Sequence, residues 1–251
     1  MSIVQSFYDD MASHYDKLFA NWQTTTHEQA VILDRIFRSN GFDSSARVLD
    51  CACGIGTQAI GLAAAGYCVT ASDFSSAELK EAKLRAAQNQ VDIDFAQADF
   101  RLLEEVFTEQ FDIVIAMDNA LPHMLTEADL ERAVGSIVGR VRADGLFVAS
   151  IRDYDAMLLN KPPYSPPYIH QTEKGQRVSF QTWHWENDIY RLVQYIIEDE
   201  ETLQIGRFEC VYRATRRDEM TELLRKKGCK AVTWLFPEET DFYQPIVVAR
   251  K

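Results

Sequence analysis

The chain lacks any dense basic stretch. Its 26 Lys and Arg are outnumbered by 38 Asp and Glu, for a formal charge of −12, and Arg225-Lys226-Lys227 is the densest cationic run. This composition argues against a nucleic-acid partner or an anionic membrane surface, since both are held by clustered cations. No apolar run is long enough to span a bilayer, so no membrane segment is expected. Residues 1–10 carry no basic stretch followed by an apolar one, so no secretory leader is expected. The five cysteines, Cys51, Cys53, Cys68, Cys210 and Cys229, are odd in number and scattered. They do not suggest a disulfide framework and read as reduced thiols of a cytoplasmic protein. Cys51-x-Cys53 has no second Cys/His pair at ligand spacing, so no metal is expected. There is no internal repeat and no low-complexity tract. What remains, 251 residues of which 47% are hydrophobic, suffices for one sizeable core with an appended lid.

The most informative stretch is Val48-Leu49-Asp50-Cys51-Ala52-Cys53-Gly54-Ile55-Gly56-Thr57. An apolar run stops at Asp50, a glycine turn follows, and helix-forming sequence begins at Thr57. Glycines there let the backbone pass close to a ligand and open a helix whose first amides attract negative groups. A second apolar run ends at Asp73, where an acid at a strand tip is placed to hold a ribose diol. Gly54-x-Gly56-x-x-Ala59 also satisfies the dinucleotide fingerprint, which makes NAD an option on that motif alone. Asp50 opposes it, because a carboxylate at the mouth of the loop would repel a pyrophosphate. The same carboxylate suits a ligand carrying an ammonium and a sulfonium, and S-adenosylmethionine (SAM) has both. Downstream, Ala96-Gln97-Ala98-Asp99-Phe100 follows an expected third strand over 93–96. Asp99 is placed to accept from an adenine amino group, with Phe100 beside the ring. Phe111-Asp112-Ile113-Val114-Ile115-Ala116-Met117-Asp118-Asn119 reads as a buried fourth strand ending in polar residues.

The rest of the chain extends this alternation. Residues 1–28 read as an aromatic cap, with Phe7, Tyr8, Tyr15, Phe19 and Trp22 at roughly helical spacing among acids. A helix is expected over 29–37, then strand one (47–50), a helix (57–65), strand two (68–72) and a helix (76–89) capped by Ser75 or Ser76. Strands three and four follow, then a helix over 127–141, a turn at Ala143-Asp144-Gly145 and strand five over 146–151. The character changes after Asp155. Pro162-Pro163 and Pro166-Pro167 make a stiff loop. Residues 177–185, 190–199 and 202–212 alternate like antiparallel strands, with turns at Asn187-Asp188 and around Asp199-Glu200-Glu201. A helix over 217–227 and strands over 231–236 and 246–249 complete a sheet. The expected fold is therefore α/β: a Rossmann-like, seven-stranded, mostly parallel sheet with helices on both faces. Residues 29–155 and 213–251 form its SAM-binding domain, and 156–212 form an antiparallel β insertion that serves as a substrate lid.

The ordered set of strand-end signals from about residue 46 to 151 resembles the class I SAM-dependent methyltransferases. Two segments resemble one group among them. Met117-Asp118-Asn119-Ala120-Leu121-Pro122-His123-Met124 is similar to the "LGNSFAHL" segment of glycine N-methyltransferases, and Ser150-Ile151-Arg152-Asp153-Tyr154-Asp155 to their "HRNYD" segment. The start of the chain, from Phe7 to Trp22, resembles the bacterial glycine/sarcosine enzymes. The resemblance implies that Asn119 and Arg152 contact an amino-acid substrate. Both follow parallel strands at the carboxyl edge, where ligands bind in open sheets, and an arginine fork matches a carboxylate in two-point fashion. The alternative for Arg152 is a salt bridge to Asp153, Asp155 or another acid, and for Asn119 an ordinary turn position. His123 is either a general base or, the reading favoured here, a residue that orders its loop. Two positions depart from the pattern: Asp118 stands where the group has a small glycine, which implies either a contact to a substrate ammonium or a different substrate, and Glu28 where bacterial members carry an arginine for the cofactor's carboxylate.

The candidate cofactor contacts are Tyr15, Asp50, Ala52, Gly54, Gly56, Asp73, Phe74, Asp99, Phe100 and Met117. The candidate catalytic residues are Asn119, Arg152 and His123, with Trp183, Trp185, Tyr195 and Tyr212 as lid candidates. The expected function is SAM-dependent methylation of a small molecule, an amine bearing a carboxylate such as glycine or sarcosine. An O- or C-methyltransferase of a larger apolar metabolite and a non-catalytic SAM-binding protein are the alternatives. The sequence leaves homo-oligomerisation open.

Overall fold

The computed structural model describes residues 3–172, 175–198 and 204–251. Its chain order is α1 (Ile3–Met11), α2 (Trp22–Ser39), β1 (Arg47–Asp50), α3 (Thr57–Ala64), β2 (Cys68–Asp73), α4 (Ser76–Gln88), β3 (Asp94–Gln97), β4 (Phe111–Ala116), α5 (Glu127–Arg140), β5 (Val141–Ser150), α6 (Tyr154–Asn160), β6 (Tyr168–Thr172), β7 (Gly175–Glu186), β8 (Ile189–Ile197), β9 (Ile205–Arg213), α7 (Arg217–Lys226), β10 (Ala231–Leu235) and β11 (Ile246–Arg250). Seven of the strands form one sheet in the order β10-β11-β5-β4-β1-β2-β3. β1 to β5 run parallel, and β11 is antiparallel to both of its neighbours. The chain order reverses between β1 and β4, and the crevice outside such a switch point is where open α/β sheets bind ligands.

Successive strand residues point to opposite faces, so each central strand feeds two cores. Val48, Ile113 and Val148 pack with Leu33 and Phe37 of α2 and with Ala59 and Leu62 of α3 on one face. Leu49, Val114 and Phe147 pack with Leu130 and Val134 of α5 and with Met220 and Leu224 of α7 on the other. Burying each large apolar side chain contributes about 1.5–3 kcal/mol. The helix starts carry their own signals. The Asn21 side chain accepts from Thr24 N–H, Ser75 from Glu78 N–H and Thr126 from Asp129 N–H, each at 3.1 Å.

The insertion between β5 and α7 is a separate four-stranded antiparallel sheet, β6-β7-β8-β9. Asn187-Asp188 forms the turn between β7 and β8, with Asn187 at φ +56°. The second expected turn, at Asp199 to Glu201, lies outside the described residues. Two elements of the insertion were not expected from sequence. α6 is capped by Asp153, whose side chain accepts from Ala156 N–H at 3.2 Å, and β6 pairs with β7 rather than continuing as loop. At the other end of the chain, α2 begins at Trp22, seven residues earlier than expected. Asn21 caps it, and the Trp22 indole donates to the Thr57 hydroxyl at 3.0 Å, so a tertiary contact extends a weak local pattern.

Candidate functional site

The glycine turn after β1 is fixed by backbone bonds from Cys53 N–H to Ser72 O (3.0 Å) and from Gly56 N–H to Cys53 O (2.8 Å). Gly54 (φ +51°) and Gly56 (φ +91°) adopt left-handed conformations, and a Cβ on Gly56 would lie 2.9 Å from Ile60 Cδ1. Asp73 at the tip of β2 reaches across to this turn. One of its oxygens accepts from Gly54 N–H and the other from Ser75 N–H, both at 2.9 Å. Burial, only partly opposed by these N–H donors, raises the Asp73 carboxyl to about 6. Asp50 is fully buried behind the turn. Ala52 N–H lies 3.4 Å from one of its oxygens, and the other oxygen has no partner. Burial first, then the charges of Asp73 and Asp118, push Asp50 up to about 8.

The turn opens into a crevice at the switch point between β1 and β4. Of the sequence candidates, Tyr15, Ala52, Gly54, Asp73, Phe74, Phe100 and Met117 wall it, together with Thr57, Gln58, Asp118 and His123. Asp50 lies behind the wall and Gly56 at the start of α3. Asp99 stands apart. Its carboxylate is taken by Arg101, through the backbone N–H at 2.9 Å and the guanidinium at 2.6–3.1 Å, which holds it below the usual carboxylate range despite burial. Glu28 is exposed on α2, away from the crevice. The site fits SAM by its chemistry. Phe74 and Phe100 on the wall would suit an adenine ring, Asp73 keeps lone pairs for hydroxyl donors, and the acids Asp73 and Asp118, with Asp50 behind them, would suit a positively charged ligand. Among the described residues no His/Cys/Asp/Glu group is arranged to hold a metal, and no helix is long and apolar enough to cross a membrane.

Beside the crevice lies a hydrogen-bonded polar cluster, built by Asn119, the start of α6 and the insertion. Asn119 is buried at φ +69°. Its amide oxygen accepts from Arg152 N–H at 3.1 Å and from Tyr154 Oη at 3.0 Å. Because the Arg152 N–H can only donate, the oxygen must face it, and Asn119 Nδ2 is left buried without a partner. The donors then run in one direction: Arg152 Nη1 to Tyr190 (3.1 Å), Tyr190 to Tyr154 (2.9 Å), Tyr154 to Asn119. Arg152 Nη2 donates to Gln181 Oε1 at 2.9 Å, and the guanidinium lies over the Trp183 and Tyr212 rings at 5.3 and 5.6 Å. The salt bridges open to Arg152 in the sequence are not formed. Asp153 and Asp155 both pair with Arg217 instead. Among the described residues Arg152 therefore has no carboxylate partner.

His123 lies on the crevice wall, on the side of this cluster. Its ring lies 4.1 Å from that of Tyr212, Nε2 is 2.8 Å from Tyr8 Oη, and Nδ1 is 3.3 Å from Val211 O. A carbonyl can only accept, so Nδ1 carries the proton and Nε2 accepts from Tyr8. Burial lowers the imidazole to about 3, so it is neutral and engaged at both nitrogens.

Sequence reasoning did not single out Tyr8, Gln58, Tyr154, Tyr190, Gln181 or Tyr243 as site residues. Tyr154 adjoins Arg152 and was within reach of the same argument. Gln181 and Tyr190 carry no signal beyond strand alternation, and Tyr243 sits in a loop far along the chain. Of the four lid candidates, Trp183 and Tyr212 meet Arg152. Trp185 donates to Pro162 O (2.9 Å) and Tyr195 stacks on Phe180 (4.9 Å).

Residues 48–145 match a protein family described as "Methyltransferase domain". The chain is 27% identical to a glycine/sarcosine N-methyltransferase of Parasynechococcus marenigrum, over 61% of this chain and 53% of that one. It is 23% identical to the enzyme of the same name from Aphanothece halophytica, over 98% and 89%. It thus spans about half the length of the first relative and most of the second. Among solved structures, SAM-bound CalS10 of Micromonospora echinaspora, an amino pentose methyltransferase, superposes with a TM-score of 0.72 at 16% identity, covering 90% of this chain and 91% of that one.

Proposed function

We propose that this class I SAM-dependent methyltransferase acts on the nitrogen of a small amine that also bears a carboxylate, of the glycine or sarcosine type. The observation that carries this reading is Arg152, a guanidinium over two aromatic rings with no carboxylate partner among the described residues. Arg152 is half-buried, and a charge partly withdrawn from water among aromatic rings gains from a counter-ion. An acceptor carboxylate would supply one, held by the guanidinium fork and by the unpartnered Asn119 Nδ2. The two relatives named for glycine and sarcosine support the same acceptor class.

Bound SAM supplies a methyl group already activated on a positive sulfur. The protein's task is to present the acceptor nitrogen in line with the sulfur–methyl bond and to exclude water. Such positioning lowers a barrier by as much as about 7–11 kcal/mol. Arg152 and Asn119 would fix the carboxylate end of the acceptor, while Tyr8, Met117 and His123 wall the space between that end and the glycine turn. His123 is not arranged to act as a base, being neutral and committed at both nitrogens. This suits an amine, which need only arrive unprotonated, and disfavours a hydroxyl acceptor, which needs a base.

The test uses matched acceptors. Glycine and sarcosine are compared with methylamine and dimethylamine, with methyl transfer read by mass spectrometry of the product. The amines with carboxylates are expected to react with at least about tenfold higher kcat/KM, the share of one lost charge-assisted contact. Equal rates within each pair would contradict the reading, as would methylation of amino sugars or phenols alone.

A further inference from the structure

We propose that Asp118 grips the α-ammonium group of the cofactor's methionyl tail, so that this crevice selects the positive end of the tail and gives its carboxylate no ionic partner. The inference rests on SAM as cofactor and not on the identity of the acceptor.

Asp118 and Asn119 are consecutive left-handed residues, at φ +54° and +69°. β5 holds both, through Ser150 Oγ on Asp118 N–H (2.8 Å) and Ser150 O on Asn119 N–H (3.1 Å). Their side chains then part. That of Asn119 turns to Arg152 and Tyr154. That of Asp118 turns the other way, to the first turn of α3 and to the crevice, where it forms part of the wall. One Asp118 oxygen accepts from Gln58 Nε2 at 2.8 Å and the other from Tyr243 Oη at 2.7 Å. Gln58 also gives a hydrogen to Gln29 Oε1 at 2.6 Å, so its amide is committed in one orientation. The carboxylate is thus clamped from two sides, and each oxygen keeps a lone pair for a further donor.

The surrounding charge has one sign. Asp73 and Asp118 wall the crevice, and Asp50 lies behind it with an oxygen that has no partner. Among the described residues of that wall there is no Lys or Arg, and its histidine is neutral. Glu28 is exposed on α2 and offers no cation from that side. Burial raises the Asp118 carboxyl, so its ionised form calls for a cation. A left-handed backbone favours glycine, yet an acid stands here. A cofactor ammonium donating into the clamped carboxylate accounts for the acid, the clamp and the missing cation together.

The test is calorimetric binding to the full chain and to Asp118→Asn. The ligands are SAM, its demethylated product, decarboxylated SAM, and 5′-methylthioadenosine, which keeps the adenosine and lacks the amino-acid tail. For the unaltered protein, decarboxylated SAM is expected to bind within about threefold of SAM, since no charge-assisted bond to the carboxylate is lost. Asp118→Asn is expected to weaken the three tail-bearing ligands by about 10- to 100-fold, the share of a hydrogen bond to a charged group, and to leave 5′-methylthioadenosine unchanged. Retained binding of that last ligand shows that the variant is folded. Should the variant not fold, Tyr243→Phe, which removes one clamp from an exposed position, is expected to shift the same ligands in the same order by a smaller factor. Unchanged SAM affinity in the variants, with only the acceptor KM raised, would overturn the proposal and give Asp118 to the acceptor. Decarboxylated SAM binding about a hundredfold more weakly than SAM would also overturn it. Failure of every adenosine ligand to bind the unaltered protein would instead refute the cofactor assignment itself.

Discussion

Replacing Arg152 by Lys separates recognition of an acceptor carboxylate from every other role of that position. The native guanidinium makes two directed bonds, to Tyr190 at 3.1 Å and Gln181 at 2.9 Å, and lies 5.3 and 5.6 Å from the Trp183 and Tyr212 ring centres. Lysine keeps the charge and loses the planar fork that meets a carboxylate at two points. Removing one partner of a buried charged pair costs about 2–5 kcal/mol. Since the charge survives here and Arg152 is only half-buried, the expected loss lies below that range, about 1.4 kcal/mol or tenfold in kcat/KM toward a carboxylate-bearing amine. The loss should fall mainly on KM, because the lost contact holds the acceptor before and during transfer. SAM affinity, read by calorimetry, should stay near normal, because Arg152 is not part of the crevice wall. An acceptor without a carboxylate should show little change. Equal loss on both acceptor types, or loss of SAM binding, would refute the reasoning and make Arg152 a residue that holds the fold or the cofactor.

Four further outcomes are expected. SAM should raise the thermal midpoint and NAD should not; at a hundredfold excess over Kd the gain is about 2.7 kcal/mol, and Asp73→Ala should lose much of it by removing the ribose contact and a partner of Gly54 N–H. Asp50 and Asp73, raised to about 8 and about 6 from 3.8, bind protons in the folded chain that the unfolded chain has released. Their contribution to stability without cofactor therefore falls as pH rises from about 4 through those values. The positive cofactor favours their ionised forms, so its stabilising effect should grow from pH 5.5 to pH 8, and melts showing no such growth would contradict the assignment. His123 is neutral and takes up a second proton only near pH 3, so the pH–rate profile should lack a limb from it between pH 6 and 7, a point checked by comparing the profile of His123→Gln. Hydrogen exchange over residues 8–22 and 162–167 should slow when product cofactor and acceptor are both bound, because Tyr8 and Tyr15 wall the crevice and Pro162 and Pro163 bond to the lid tryptophans.

The parallel half of the fold was legible because its signals are local. Val48 to Asp50, Phe111 to Ala116 and the glycine turn each declare a strand or its end within a few residues; β1 has the expected bounds, β4 stops three residues before Asn119, and β5 starts at Val141 and runs through the turn expected at 143–145. Asp73 was legible for the same reason, as an acid at the end of an apolar run. Asp99 was not, because its neighbour Arg101 competes for the carboxylate, and a pairing two residues away has no signature in the pattern. α6 and β6 were missed in a proline-rich stretch where cap and partner strand, not propensity, decide the outcome. The fate of Arg152 was open in sequence because it depended on where Arg217 would go. That arginine, some sixty positions onward, takes Asp153 and Asp155 and leaves Arg152 to Tyr190 and Gln181. The tyrosine chain from Arg152 to Asn119 joins residues of β4's end, α6 and β8, and only the fold brings them together.

The most direct test of the central claim is a crystal structure of the protein with demethylated cofactor and sarcosine bound together. The account predicts the adenosine between Phe74 and Phe100 with its ribose on Asp73. It places the sarcosine carboxylate within hydrogen-bond distance of the Arg152 guanidinium and Asn119 Nδ2, with the nitrogen directed at the cofactor sulfur. A sarcosine found elsewhere, with Arg152 still bonded only to Tyr190 and Gln181, would contradict it.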